Sequence, residues 1–220
     1  MRDLWNRLES YLKKHAPAVL DSLNPPATVR EIQEAERELG IRLPSDFTDS
    51  LLIHNGQGRD GAFVPNEFEE GGFFRASFGE LAPLSQVVST TFSMRAAMEE
   101  YWRPWTDDFE YDGPIRRDGN WSWIIFIDAG SGNQHALDLQ PAEGGHVGQV
   151  VSILHDPSAF LFLAPSFRAW FEALVERYET GRYYFAEIDG ELEATDRFEQ
   201  QKRRMEDEDP PGDGILRFPG

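Results

Sequence analysis

Residues Trp121 to Asp156 read WSWIIFIDAGSGNQHALDLQPAEGGHVGQVVSILHD, and this stretch decides the fold. Three runs concentrate β-branched, aromatic and leucine side chains: Trp123–Asp128, His135–Leu139 and Gln149–Leu154. Glycine-bearing breaks separate them, first Gly130-Ser131-Gly132-Asn133 and then Pro141 to Gly148. Short apolar runs punctuated in this way predict a meander of antiparallel strands. The same stretch carries no recognisable catalytic constellation, so it points to a binding protein more than to an enzyme.

Outward from the meander the pattern turns helical. In front, Leu4, Trp5, Leu8, Tyr11 and Leu12 recur at helical spacing and predict a first helix over about Leu4 to His15. After the break at Asn24-Pro25-Pro26, Thr28 and Glu31 have the spacing of a capping box. The helix they open buries Val29, Ile32, Ala35 and Leu39 and ends at Gly40, where a left-handed residue is wanted. A third helix is expected from near Pro44, with Phe47, Leu51 and His54 on one face, and Asn55-Gly56 closes it. Gln57 to Phe78 reads as a loop with one strand around Phe73–Ala76, Ser85 to Trp102 as a fourth helix, and Thr106 to Asn120 as a charged loop. Behind the meander, Ser166 is an N-cap for a last helix through Phe167, Trp170, Phe171, Leu174 and Tyr178 to Gly181. The expected fold class is therefore α+β: an antiparallel or mixed sheet containing a three-strand meander, packed with helices at the N- and C-terminal ends.

At 220 residues one domain is the natural unit, here 1–186. Six Trp and sixteen Phe supply the interior. Residues 187–220 read as an acidic, mobile tail, because Glu187 to Asp213 holds 11 acids against four bases and then Pro210-Pro211-Gly212. The formal charge of −18 opposes binding to nucleic acid or to anionic membranes and draws basic partners inward. An acidic surface also serves solubility alone. Cysteine is absent, which removes disulfides and thiolate metal sites and suits a reducing compartment. The N-terminus shows no apolar h-region, and no run approaches the roughly 20 apolar residues of a membrane span. A cytoplasmic location is expected.

Each candidate chemistry has a plainer reading. Gly130-Ser131-Gly132-Asn133 imitates a phosphate loop, but a strand follows it and not a helix N-terminus, so it reads as a hairpin turn. Asp108, Glu110 and Asp112 imitate the opening of a calcium loop, yet the twelfth position is Gly119 where a bidentate Glu belongs. The five histidines have no paired metal spacing; His54 on its apolar helix face reads as a hydrogen-bonded core histidine. His155-Asp156 has the chemistry of an acid–base pair but more ordinarily closes a turn. No GxSxG and no cysteine nucleophile exist. No catalytic residue, metal or cofactor is expected. Trp102, Trp105, Trp121 and Trp123 read first as packing for the meander and second as an aromatic cleft for a peptide or sugar.

Laid in order, several motifs resemble the SUKH superfamily, which includes the fungal cell-wall assembly (glucan-synthesis) regulators and many bacterial toxin-immunity proteins. In front they are Glu31-Ile32, Ala35-Glu36, Leu39-Gly40, Leu43-Pro44-Ser45-Asp46-Phe47, Leu51 and His54-Asn55-Gly56. Behind they are Trp123-Ile124, Asp128 to Asn133, Leu137 to Pro141, Gly145, Gly148 to Val151, His155-Asp156 and Ala164 to Trp170. The resemblance implies an α+β protein-binding module without chemistry of its own, and in bacteria an immunity protein that neutralises a cognate toxin, often a nuclease. The expected partner is then a basic toxin domain meeting an acidic face. Asp107, Asp108, Glu110 and Asp112 are the candidate contacts, with Trp105 and Trp121 as anchors. The alternative is a regulatory scaffold of the cell-wall type binding a partner that is not a toxin. An enzyme or small-molecule binder using His155, Asp156 and the 130–133 loop is the third reading.

Overall fold

The computed structural model describes residues 1–58, 61–68, 74–76, 79–130, 132–155, 158–188 and 191–198. Among these the α-helices are α1 (Arg2–His15), α2 (Pro17–Asp21), α3 (Val29–Leu39), α4 (Ser45–Leu51), α5 (Leu84–Ala97) and α6 (Phe167–Glu179). The strands are β1 (Glu67–Phe68), β2 (Phe74–Ala76), β3 (Glu110–Asp112), β4 (Trp123–Asp128), β5 (Gln134–Asp138), β6 (Gln149–Leu154), β7 (Ala159–Ala164), β8 (Tyr183–Ile188) and β9 (Glu191–Asp196). The α+β reading holds, with a mixed central sheet in the order β3-β7-β6-β5-β4. The expected meander is β4-β5-β6. Two strands that the sequence reading passed over extend it: β7, antiparallel to β6, and β3, parallel to β7 with Tyr111 opposite Phe160. Small antiparallel pairs, β1-β2 and β8-β9, complete the described strands.

Alternation along the strands gives the sheet two buried faces. On one, Ile124, Phe126, Ile127, Leu137 and Val150 meet the apolar stripes of α1, α3, α4 and α6. On the other, Trp123, Ile125, Ala136, Val151, Ile153 and Phe160 meet Met94, Met98 and Ile115. The change of pairing register between Ile125 and Ile127 is what places Phe126 and Ile127 on the same face.

The helices start and stop where local chemistry directs. Thr28 caps α3: its Oγ1 accepts from the Glu31 amide at 3.2 Å, and its own amide donates to Glu31 Oε2 at 2.6 Å. Gly40 follows in the left-handed region at φ 68°. At the start of α6, Ser166 Oγ accepts from the Ala169 amide at 3.1 Å. The expected fourth helix begins as α5 and then changes its hydrogen-bond spacing: Met98–Trp102 is a π turn, and Arg103–Asp108 follows as 3₁₀. Its buried face is Leu84, Val87, Val88, Thr91 and Met94, and Phe92 is exposed. The buried Thr91 hydroxyl accepts the Ile125 amide at 3.1 Å, and the Ala82 amide donates to Phe126 O at 2.9 Å. These two bonds cover the outer edge of β4.

His54-Asn55-Gly56 is the joint between α4 and the rest. Asn55 Oδ1 accepts the Leu84 amide at 2.8 Å, and His54 Nδ1 and Nε2 lie 3.1 Å from Asn24 O and 2.9 Å from Glu9 Oε1. Gly56 sits at φ 68°, and a Cβ there would lie 2.5 Å from Leu81 O, so only glycine fits.

The boundary expected at 186/187 falls within β8. Its hairpin with β9 is held by Arg182, whose Nη2 donates to the buried Asp196 Oδ2 at 3.0 Å. Residues 199–220, including the short helix expected at Glu199–Met205, lie outside the described residues.

Candidate functional site

The second face of the sheet is covered by Met94 of α5 and, for the rest, by one largely irregular segment, residues 98–121. Phe160, fully buried on β7, is its hub. Ring centroids of Phe109, Trp123, Trp121, Tyr111 and Trp102 lie 4.6, 4.9, 5.1, 5.3 and 5.8 Å from it. Phe109 and Trp102 stack on it near-parallel, while Tyr111, Trp121 and Trp123 present edges, the geometry that ring quadrupoles favour.

An irregular cover leaves backbone groups that no ladder satisfies, and side chains meet them individually. Tyr111 Oη donates to Thr106 O at 3.0 Å, and Trp121 Nε1 donates to Arg116 O at 2.6 Å. Gln149 Nε2 donates to Pro114 O at 3.0 Å and to Asp138 Oδ2 at 3.1 Å. Burial pushes the Asp138 carboxyl up to about 6, against the opposing pull of its bonds from the Gln140 amide and Gln149. At the surface, the Arg116 guanidinium bound to Asp118 holds that carboxyl well below the usual range, helped by the Asn120 amide.

The expected contact residues ride on this cover. Asp107 and Asp108 are exposed on the 3₁₀ turn, Glu110 and Asp112 on β3, and Trp105 is 62% exposed at the kink within that turn. All five fall within one stretch of the cover, residues 105–112, which is its acidic rim. Trp121 stands apart: it is half-buried, stacked on Trp123 at 5.0 Å, with its N–H already used.

Beside the rim a cleft of about 240 Å³ opens between the 98–108 turns and the β6–β7 connection, lined by Tyr101, Trp102, Trp105, Asp108, Phe109, Leu154, His155 and Ser158. Tyr101, Phe109, His155 and Ser158 were not singled out from sequence as parts of one site. The available signal was Phe109, an aromatic set among acids; the pairing of β3 with β7 that brings it to His155 is not written locally.

The other candidates resolve plainly. Residues 129–133 form the β4–β5 hairpin turn, with the Ala129 amide on Asn133 O at 3.0 Å; Ser131 lies outside the described residues. The His155 amide donates to Asn133 Oδ1 at 2.8 Å, and Asp156 lies outside the described residues. Among the described residues no group of three or more His, Asp or Glu is placed to hold a metal ion, and no helix is long and apolar enough to cross a membrane.

Fold and site together define an α+β module whose sheet carries helices on one face and an acid-rimmed aromatic cover on the other. Residues 26–173 match the SMI1 / KNR4 family (SUKH-1), and the chain belongs to that family. It is 24% identical over 225 residues to a glucan synthesis regulatory protein of Neurospora crassa, covering 86% of this chain and 40% of the relative. It is 25% identical over 202 residues to the cell wall biosynthesis/cell cycle regulator smi1 of Schizosaccharomyces pombe, covering 86% and 38%. A shorter stretch of 57 residues, 26% of this chain and 12% of the relative, is 33% identical to F-box only protein 3 of Homo sapiens. The chain thus spans about two-fifths of the length of the fungal regulators it matches.

Proposed function

We propose that the chain is a cytoplasmic, non-catalytic regulatory module of the cell-wall regulator type, which works by binding a protein partner without a cofactor. The observation that carries this reading is its alignment over 86% of its length with proteins named as regulators of glucan synthesis and of cell wall biosynthesis. The partner's contact surface is the rim of Trp105, Asp107, Asp108, Glu110 and Asp112. Charge supports that choice, since a rim of four carboxylates on a chain of net −18 favours a basic partner and speeds its approach. Toxin neutralisation is the second reading, and it rests on the same charge. Affinity capture from the native organism, with wild type and a chain in which the four acids become amides, tests the order of the two. Capture of a wall-synthesis or signalling protein, reduced by the amide variant at low salt, is expected. Capture of a basic toxin domain encoded next to this chain would put immunity first. A partner bound equally by both chains would move the contact surface off the rim.

A further inference from the structure

The cleft beside the rim has chemistry of its own. Its lining includes four aromatic residues, Trp102, Phe109, Trp105 and Tyr101, together with Asp108 and His155. Trp105 and Tyr101 are 62% and 61% exposed, and neither has an aromatic partner among the described residues. At about 240 Å³ the space falls below the usual range for drug-sized ligands and suits a single long side chain.

The chain's treatment of its other accessible rings shows what is missing here. Arg117 lies over Tyr111 at 5.1 Å, Arg95 over Phe92 at 5.8 Å, and Arg182 over Phe198 at 4.8 Å. Ring faces near the surface are thus repeatedly covered by the chain's own guanidinium groups, the arrangement that ring quadrupoles reward. Among the described residues no Lys or Arg lines this cleft. Residues 99–112 hold six carboxylates and one base, Arg103, and its Nη1 reaches Glu99 at 4.0 Å. The cleft therefore has the aromatic faces and the negative field of a cation site without an internal cation to fill it.

We propose that this cleft receives one cationic side chain, an arginine or lysine on a basic segment of the partner, held against Trp105 and Trp102 with Asp108 as counter-charge. The inference rests on the protein-binding reading above and adds the chemistry of its central contact. Trp105, Trp102 and Tyr101 act as the recognition surface, and the acids of the rim guide the segment in.

Two measurements on the full chain test it. In the first, the indole N–H signals of the isotope-labelled protein are followed while an end-blocked Gly-Gly-Arg-Gly-Gly peptide is added, with a citrulline peptide of the same length as control. A saturable shift at Trp105 and Trp102 is expected with arginine and not with citrulline, at least tenfold weaker in Trp105→Ala and at least threefold weaker in Asp108→Asn. Equal shifts with citrulline, no saturable shift at all, or undiminished binding by Trp105→Ala and Tyr101→Ala would overturn the proposal. In the second, the captured partner is offered to wild type and Trp105→Ala. Weaker capture by the variant is expected; equal capture overturns the cleft while leaving the regulatory reading intact. A saturable arginine shift with no partner captured by either chain would separate the two in the opposite sense.

Discussion

The two faces of one sheet are buried by opposite means. On the first, α1, α3, α4 and α6 bring apolar stripes whose backbone groups are already satisfied within each helix, so the cover is assembled from finished parts. On the second, residues 98–121 supply mostly π, 3₁₀ and irregular backbone, and the cover holds because five aromatic rings pack around Phe160 and because Tyr111, Trp121 and Gln149 each reach one carbonyl. The difference teaches where each property resides. The helical face fixes the domain, whereas the aromatic face combines burial below with a display of acids and exposed rings above.

Substitutions can break or sharpen this contrast. Trp5 is fully buried on the helical side, its indole N–H donating to Ser50 Oγ at 2.9 Å and its ring against Phe171. Trp5→Ala should lower the unfolding free energy by about 4 kcal/mol, read by denaturant titration. On the opposite face Phe160→Ala should cost about 3 kcal/mol and also remove much of the near-ultraviolet dichroism, since five rings lose their common neighbour. A cost under about 1 kcal/mol would mean that the cover is loosely held, and the contrast would fail.

A smaller effect is tied to pH. The Asp138 carboxyl is raised in the folded state, so the fold favours its protonated form. Its contribution is therefore present at low pH and lost as pH rises through about 6. Between pH 4.5 and 7 the wild type should lose on the order of 2 kcal/mol relative to Asp138→Asn, by comparison of urea midpoints. Parallel profiles for the two chains would show that Asp138 is not the titrating group. Last, Trp105→Ala should change stability by less than about 0.5 kcal/mol, because its ring is mostly in solvent. A loss comparable to that of Phe160→Ala would make Trp105 part of the packing and remove it from the display.

The same contrast explains what was legible in the sequence. The helical face repeats at a period that side-chain order reveals, so α1, α3, α6 and the capping box at Thr28 and Glu31 could be read directly, although Val29, expected on the buried face of α3, is exposed in its first turn. So could the β4-β5-β6 meander, whose turns are written in glycine. The family was recognisable from motifs such as His54-Asn55-Gly56, and its named relatives favour the regulator reading over the toxin reading placed first. The aromatic face was half legible. Its acids and tryptophans stood out, but β3 consists of Glu110, Tyr111 and Asp112, a composition that local preference assigns to a loop. Only its parallel partner β7, far along the chain, makes it a strand. Without that pairing, the meeting of Phe109 and Tyr101 with His155 had no local signal. Similarly, Glu191–Asp196 reads as solvated acid until Arg182 and Asp196 join it to the domain.

The position of β3 has a consequence for how copies of this protein treat one another. A three-residue strand at the end of a sheet leaves a row of backbone groups that another sheet edge could extend, the common beginning of self-association. Here that edge carries Glu110 and Asp112, both exposed, and a second copy would bring the same two carboxylates opposite them. The opposite edge, at β4, is closed by Thr91 and Ala82. Like charge at one border and covered backbone at the other both oppose extension of the sheet by a second copy.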